Sequence, residues 1–459
     1  MKRKLLLLVG CLFFVIAPLF ANNAKGGDGK AVTTSTITVF DEVVFYDGYA
    51  ALVTSPAPPS GVLRLKNSLN SRKLTDVEIS QFDASVTMNV VVKAACDNYD
   101  RIGNISLALV PKNSTTYNPS NVQRIELGRF ITPFMNKNYM PDEVPYSFSV
   151  SNLTRILQDQ NLSSMYDFWI EFELFGVASA AQQQVAGCAG RNDVFLGSLT
   201  FDTGFGFSLS TGYNYFQPIA FKERFNNYQA GASDAIGQTV KTININLSTP
   251  ITNAKLYLIT SNHGANSGGE EYNRRFHYVT FDGNSVLTYK PGSTSCEPFR
   301  MYNTQANGIY GSSPRTDAVW QSFSNWCPGD KIPIRVISLG SLSAGAHTFV
   351  ISVPDAQFVG QQGNFPFSLY LQGDSATALS SEQFDTVNSF IMYPNPATDV
   401  VSIESVNNVK EVVVFDVLGQ QVLKTNSDNF SVSELQSGVY IVKAVFENNT
   451  SVTQKLVRK

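Results

Sequence analysis

Three groups of carboxylates stand out by the company they keep. Asp97 and Asp100 lie in "CDNYDR" (96–101), where six residues hold two acids, a thiol, an aromatic ring and a guanidinium. Glu171 and Glu173 alternate with aromatic residues in "DFWIEFELF", and a strand there turns both to one face. Glu270 and Glu271 sit in "SGGEEYNRRFH", where glycines lead in and Arg274 and Arg275 follow. Carboxylates accompanied by aromatics suit sugar recognition and acid–base hydrolysis. The plainer reading of each group is a solvated charge or a turn cap.

Other chemistries find little support. The chain has three histidines, His263, His277 and His347, none with zinc-type spacing to cysteine and none in an HExxH arrangement. A GxSxG elbow, a phosphate loop and an EF-hand-like loop are absent, which leaves only loop carboxylates for a calcium ion. No metal or organic cofactor is expected. A net charge of −3 without blocks of like charge gives no reason to expect nucleic acid or anionic lipid as a partner.

The elements that must position these acids read as β-strands. Between about Thr33 and Asp202, β-branched and aromatic segments such as "STITVFDEVVFY", "VTMNVVVKAA", "NISLALVP", "QRIELGRFIT" and "VFLGSLTF" alternate with Gly, Asn and Pro. "SNLTRILQDQNLSSMYD" is the one helical pattern, with Ser151 or Asn152 as its cap. Glycines thicken at "DTGFGF", after which "KTININLS", "NAKLYLIT", "FHYVTFDG", "IPIRVISL", "HTFVISVP" and "FSLYLQG" form a second β-region. The long loops Gly264–Arg275 and Pro291–Trp326 are where a rigid β scaffold would carry a site.

The first residues, "MKRKLLLLVGCLFFVIAPLFANN", pair a basic start with an apolar run and small residues near Ala21, as in a secretory signal peptide over 1–21. "LVGC" ending at Cys11 resembles a lipoprotein box, but the apolar run continues past it. No transmembrane segment is expected after cleavage. Without Cys11, four cysteines remain: Cys96, Cys188, Cys296 and Cys327. They allow three pairings in an exported protein. Cys296 with Cys327 is the local choice, leaving Cys96 and Cys188 paired or free. The expected division is 30–205 and 206–374 for two β-domains, 375–389 for a Ser/Thr/Asp-rich linker and 390–459 for a small β-module.

That last module, with "YPNP", "DVLGQQV" and "SGVYIV" in order, resembles the C-terminal sorting domain of the type IX secretion system. The resemblance implies a small β-sandwich read by an outer-membrane export machine, and a secreted or cell-surface protein. "CDNYDRIGNISL" and "IELGRFITPF", then "SNHGANSGGEEYNRRFHYVTFDGN" and "SNWCPGDKIPIRV", are similar in order to the peptide:N-glycosidase F family. That resemblance implies an all-β fold of two side-by-side eight-stranded jelly rolls with the active site in the cleft between them. It implies an amidase, without cofactor, that hydrolyses the bond between asparagine and N-acetylglucosamine in N-linked glycoproteins or glycopeptides. A monomer is expected.

Carried over by residue, the family's essential aspartate falls on Asp100 and its second carboxylate on Glu271, with a third on Glu173. Asp97 is then the structural acid of its turn. Arg101 is expected to orient Asp100, and Arg275 to hold Glu271. Tyr99, Ile131, Phe175, His277 and Trp326 complete the substrate-binding set, and Cys296 and Cys327 match a family disulfide. The family's disulfide at the aspartate turn uses a cysteine that would precede Cys96, where the chain reads "VVKAA". Gly269 and Asn273 stand near two further family cysteines, Phe323 stands at an expected arginine, and Tyr99 and Phe175 replace tryptophans. The alternatives are a non-catalytic glycan- or protein-binding surface protein on the same scaffold, a glycosidase cutting between sugars, and a copper monooxygenase, which the histidine count disfavours.

Overall fold

The computed structural model describes residues 35–204, 212–225, 236–265, 269–358, 363–376, 391–405, 408–416, 419–447 and 451–459. The signal peptide expected over 1–21, with Cys11, and most of the linker expected over 375–389 lie outside them.

The first sandwich uses β1 (Ser35–Tyr46), β2 (Val62–Lys66), β3 (Leu69–Lys73), β4 (Ser85–Ala94), β5 (Ile102–Pro111), β6 (Gln123–Ile131), β7 (Glu143–Ser149), β8 (Tyr166–Leu174) and β9 (Asp193–Gly204). Its sheets run β1-β9-β4-β7 and β6-β5-β8-β3-β2. The second uses β10 (Tyr213–Phe225), β11 (Val240–Leu247), β12 (Ile251–Thr260), β13 (His277–Phe281), β14 (Asn284–Tyr289), β15 (Lys331–Ile332), β16 (Arg335–Leu342), β17 (Gly345–Ser352) and β18 (Phe365–Ser375). Its sheets run β10-β18-β12-β16 and β11-β17-β13-β14. In both, the first strand pairs with the last and the next with the penultimate, the order of an eight-stranded jelly roll. The first carries β2 as an extra edge strand, and β15 crosses over to extend the β6 edge of the first sandwich.

Period-two patterning accounts for the strands. In β4, Val86, Met88, Val90, Val92 and Ala94 are buried while the residues between them are not. They meet Phe40, Phe45, Phe168, Phe172, Phe195 and Phe201 in one core. Burying one such side chain is worth about 1.5–3 kcal/mol. A second core gathers Leu256, Leu258, Val279, Phe281, Phe349, Ile351 and Phe367. The expected helix over 151–167 is two short ones, Leu153–Leu157 and Gln160–Met165. The break is chemical: Asp159 accepts the amides of Asn161 and Leu162 at 2.9 and 3.1 Å and starts a new helix. Asn152 makes no capping bond and instead donates to Tyr370 Oη and Gln372 Oε1 in the second sandwich.

The two sandwiches share a polar joint. Arg129 on β6 is 1% exposed and grips Glu126 with two bonds of 2.8 and 2.7 Å. Its Nη1 also donates to Ser261 Oγ and to the Pro366 carbonyl, both at 2.7 Å, and Ser368 Oγ donates to Glu126. Arg155 pairs with Asp374 at 2.5 Å on the same interface. Residues Ile391–Arg458 form a three-stranded and a four-stranded sheet around their own core of Val401, Val412, Val414, Phe430, Val442 and Leu456. No helix among the described residues is long and apolar enough to cross a membrane.

Candidate active site

The turn between β4 and β5 is built around Asp97. Its carboxylate accepts the amides of Tyr99 and Val177 at 3.0 and 2.7 Å and two bonds from Arg101 at 2.6 and 3.2 Å. Arg101 therefore binds Asp97 rather than orienting Asp100 through a bond, because the i,i+4 reach across the turn closes an ion pair on the fully buried Asp97 carboxylate. A disulfide joins Cys96 to Cys188, Cα atoms 5.5 Å apart, and fastens the turn to the 181–188 segment. Thr132 holds the exit by accepting the Arg101 amide at 2.7 Å. With every neighbour fixed, the Asp100 side chain projects into the cleft, and no other side chain among the described residues donates to it. Burial raises its pKa to about 6, with Arg101 pulling down and Asp97 pushing up.

Glu271 comes from the segment between β12 and β13, in the second sandwich. Its Oε2 accepts the Gly264 amide at 3.1 Å, and its own amide donates to the Gly264 carbonyl at 3.3 Å. Asn325 ties the segment from the other side, donating from Nδ2 to the carbonyls of Glu270, Glu271 and Asn273. Burial raises the Glu271 pKa to about 7; the Gly264 amide and the Tyr272 hydroxyl lower it, and the charge of Asp100 raises it. That mutual repulsion makes the two acids a coupled pair across the two sandwiches. Asn325→Ala removes three bonds at once and is expected to cost about 1–3 kcal/mol, read as a lower melting temperature in calorimetry.

Asp100, Arg101, Ile102, Ile131, Phe175, His263, Ala265, Glu271 and Trp326 line one cleft of about 390 Å³. Six of the residues named from the sequence meet there: Asp100, Glu271, Arg101, Ile131, Phe175 and Trp326. Tyr99 lies beside them, 41% exposed, with its ring 5.8 Å from that of Phe134. Glu173 is bound to Lys222 Nζ and does not line the cleft. Arg275 holds Glu270 at 2.9 and 3.2 Å, not Glu271. His277 faces inward from β13 between the rings of Tyr289 and Phe365, and burial drops its pKa to about 3, so it is a neutral core residue. Cys296 and Cys327 form the second disulfide, beside Trp320 and Tyr310.

Sequence reasoning missed His263, Lys222 and Asn325. His263 lines the cleft, tilted against Trp326 with ring centroids 5.9 Å apart, and burial drops its pKa to about 3. Lys222 sits at a bulge in β10 with φ of 47°, a backbone state rare for a long side chain. A larger groove of about 590 Å³ runs past Arg155, Tyr257 and Gln372 elsewhere between the sandwiches. Its one acid, Asp374, is pinned by Arg155 and Asn253, so the available carboxyls belong to the smaller cleft. Among the described residues, no cluster of His, Cys, Asp or Glu has a metal-binding arrangement.

Comparison with known proteins matches three stretches of the chain. A family model described as "Peptide-N-glycosidase F, N terminal" matches residues 36–188, and "Peptide-N-glycosidase F, C terminal" matches 231–372. A "Secretion system C-terminal sorting domain" matches 391–459, which marks the chain for secretion or display at the cell surface. No curated protein matches. The solved structure of PNGF-II is 19% identical with a TM-score of 0.54, over 74% of this chain and 66% of that one, so the chain spans just under two thirds of its length. That likeness shows the shared fold. The structure of PNGase F, a glycosylasparaginase from Flavobacterium meningosepticum, is 17% identical over 75% of this chain and 97% of that one, with a TM-score of 0.45. The two N-glycosidase domain models together cover more than half of the sequence. The chain belongs to the peptide-N-glycosidase F family.

Proposed function

We propose that the chain is an exported amidase that hydrolyses the bond between the asparagine side chain and N-acetylglucosamine in N-linked glycoproteins or glycopeptides. The observation that carries this reading is the meeting of Asp100 and Glu271, one from each sandwich, in a cleft walled by Phe175, Ile131 and Trp326. Ionised Asp100 takes a proton from water as the water oxygen bonds to the amide carbon. The bond from that carbon to the sugar-bearing nitrogen then breaks, and protonated Glu271 supplies the proton that lets the nitrogen leave as a glycosylamine. Asparagine becomes aspartate. The Arg101 guanidinium beside Asp100 favours its ionised form, an effect partly offset by the Asp97 carboxylate that Arg101 binds. The apolar walls suit the faces of sugar rings.

The pH dependence follows from the two raised acids. Asp100 must lose its proton, so the rate rises through about pH 6, and Glu271 must keep its own, so the rate falls through about pH 7. The expected kcat/KM profile is a narrow bell whose two limbs belong to the coupled pair. Glu271→Gln is expected to remove the alkaline limb and lower kcat/KM by about 10²–10⁴-fold. Incubation of the purified chain with a denatured N-glycoprotein, beside an Asp100→Ala control, tests the reading. Glycan release by the first and not by the second supports it; release by neither refutes the activity, and equal release by both refutes the site.

A further inference from the structure

The segment "DGYAALV", Asp47 to Val53, follows β1 and presses on the cleft from outside the carboxylates. A Cβ on Gly48 would fall 2.2 Å from the Phe175 ring, so the loop backbone lies directly on that cleft wall. The next residue, Tyr49, is 81% exposed, and its ring meets Phe175 edge-on with centroids 5.2 Å apart. A large aromatic so exposed is commonly carried on a mobile tip, yet this loop is fastened throughout. Buried Asn67 donates from Nδ2 to the carbonyls of Asp47, Ala50 and Ala51, and its Oδ1 accepts the Val53 amide. Asp47 accepts the amides of Tyr49 and Ala178, and the Gly48 amide donates to Gly176. Arg64 adds bonds to the carbonyls of Val53 and Pro56.

We infer that Tyr49 is a stacking subsite for a pyranose ring beyond the asparagine-linked sugar, continuing the wall that begins at Phe175. The inference rests on the amidase reading for the direction in which the oligosaccharide leaves the cleft. A fixed loop presents the ring without the entropy cost of ordering it, and tyrosine itself has few rotors to freeze. The chemistry favours a sugar over a polypeptide. Residues 48–53 carry no charge, and the amides of Gly48, Tyr49, Ala50 and Val53 and the carbonyls of Ala50, Ala51 and Val53 are already bonded within the fold, which leaves little edge for strand pairing. What remains is a bare aromatic face flanked by exposed Leu52, suited to the C–H face of a pyranose.

Calorimetric titration of the full chain with free sugars tests this, using N-acetylglucosamine and the pentasaccharide of three mannoses on a chitobiose. Tyr49→Ser is expected to weaken the pentasaccharide about fivefold to tenfold and leave the monosaccharide unchanged, while Tyr49→Phe keeps both affinities. Exposure of the side chain makes either variant compatible with the fold, which circular dichroism checks. Unchanged pentasaccharide affinity in Tyr49→Ser overturns the subsite, as do equal losses for both sugars or the absence of any pentasaccharide binding by the parent chain. Cleavage of glycopeptides is scored separately. A chain that cleaves nothing but shows the Tyr49-dependent affinity refutes the amidase reading alone, and one that cleaves with no Tyr49 dependence refutes the subsite alone.

Discussion

Asp100→Asn is expected to abolish glycan release while making the protein more stable above pH 6. The two effects share one cause. The turn at residues 96–101 and the cleft wall take Asp100 out of water without giving its carboxylate a side-chain donor, and its pKa rises from the ordinary 3.8 to about 6. A raised carboxyl favours the folded state only while protonated. That contribution is complete below the ordinary value, is lost as pH rises through about 6, and becomes a constant penalty at pH 8. The rise from 3.8 to about 6 sets an upper bound of about 3 kcal/mol, reduced by the solvent that the side chain still meets. Asparagine keeps the shape, drops the charge and escapes the penalty. It also cannot accept a proton from water, so kcat/KM is expected to fall by at least about 10²–10⁴-fold, the usual worth of a general base. Thermal unfolding of both proteins at pH 8 and pH 4 checks the linkage: a gain at pH 8 that vanishes at pH 4 is expected. A destabilised variant at pH 8 contradicts the account of the turn.

Arg129→Met is expected to be the most destabilising single change outside the hydrophobic cores. The arginine is buried between the sandwiches, and its removal leaves Glu126, itself 1% exposed, charged and without its cation. Ser261 and the Pro366 carbonyl lose their donor at the same time. Breaking a buried pair on one side costs about 3–5 kcal/mol. The paired change Glu126→Leu with Arg129→Met removes both charges and is expected to recover most of that loss, short of the part owed to the unpaired Pro366 carbonyl and the two serines. Urea unfolding of the two single variants and the double variant measures this as a coupling energy. Because β6 also carries Ile131 into the cleft, the single variant is expected to lose activity through a smaller folded population, with its pH profile unmoved.

The strands that bury one face were readable because a period of two needs only the identity of alternate residues, as in β4 and β17. β2 and β3 were not, since "VLRLK" and "LNSRK" look polar, and Asn70 and Ser71 are buried by pairing with β8 rather than by their own hydrophobicity. The acids of the cleft were visible as types in a setting, but their partners were not. Arg101 is adjacent to Asp100 in sequence and bonds Asp97; Arg275 is four residues from Glu271 and bonds Glu270. Sequence proximity does not say which carboxylate a guanidinium reaches, because that depends on the turn. Cys96 and Cys188 are 92 residues apart, and only the packing of the 181–188 segment against the turn brings them together. His263 gave one weak signal, a histidine before glycine in a long loop, and Lys222 gave none, since its direction comes from a bulge.

The central claim is that water attacks the asparagine side-chain carbon in a cleft formed by Asp100 and Glu271. Mass spectrometry of a synthetic N-glycopeptide incubated with the full chain in heavy-oxygen water tests it most directly. The expected result is a peptide carrying aspartate in place of asparagine with one heavy oxygen in its new carboxyl, and an intact glycan that keeps both N-acetylglucosamines. A peptide that retains N-acetylglucosamine on asparagine, or one left unchanged while the glycopeptide binds, would contradict the claim.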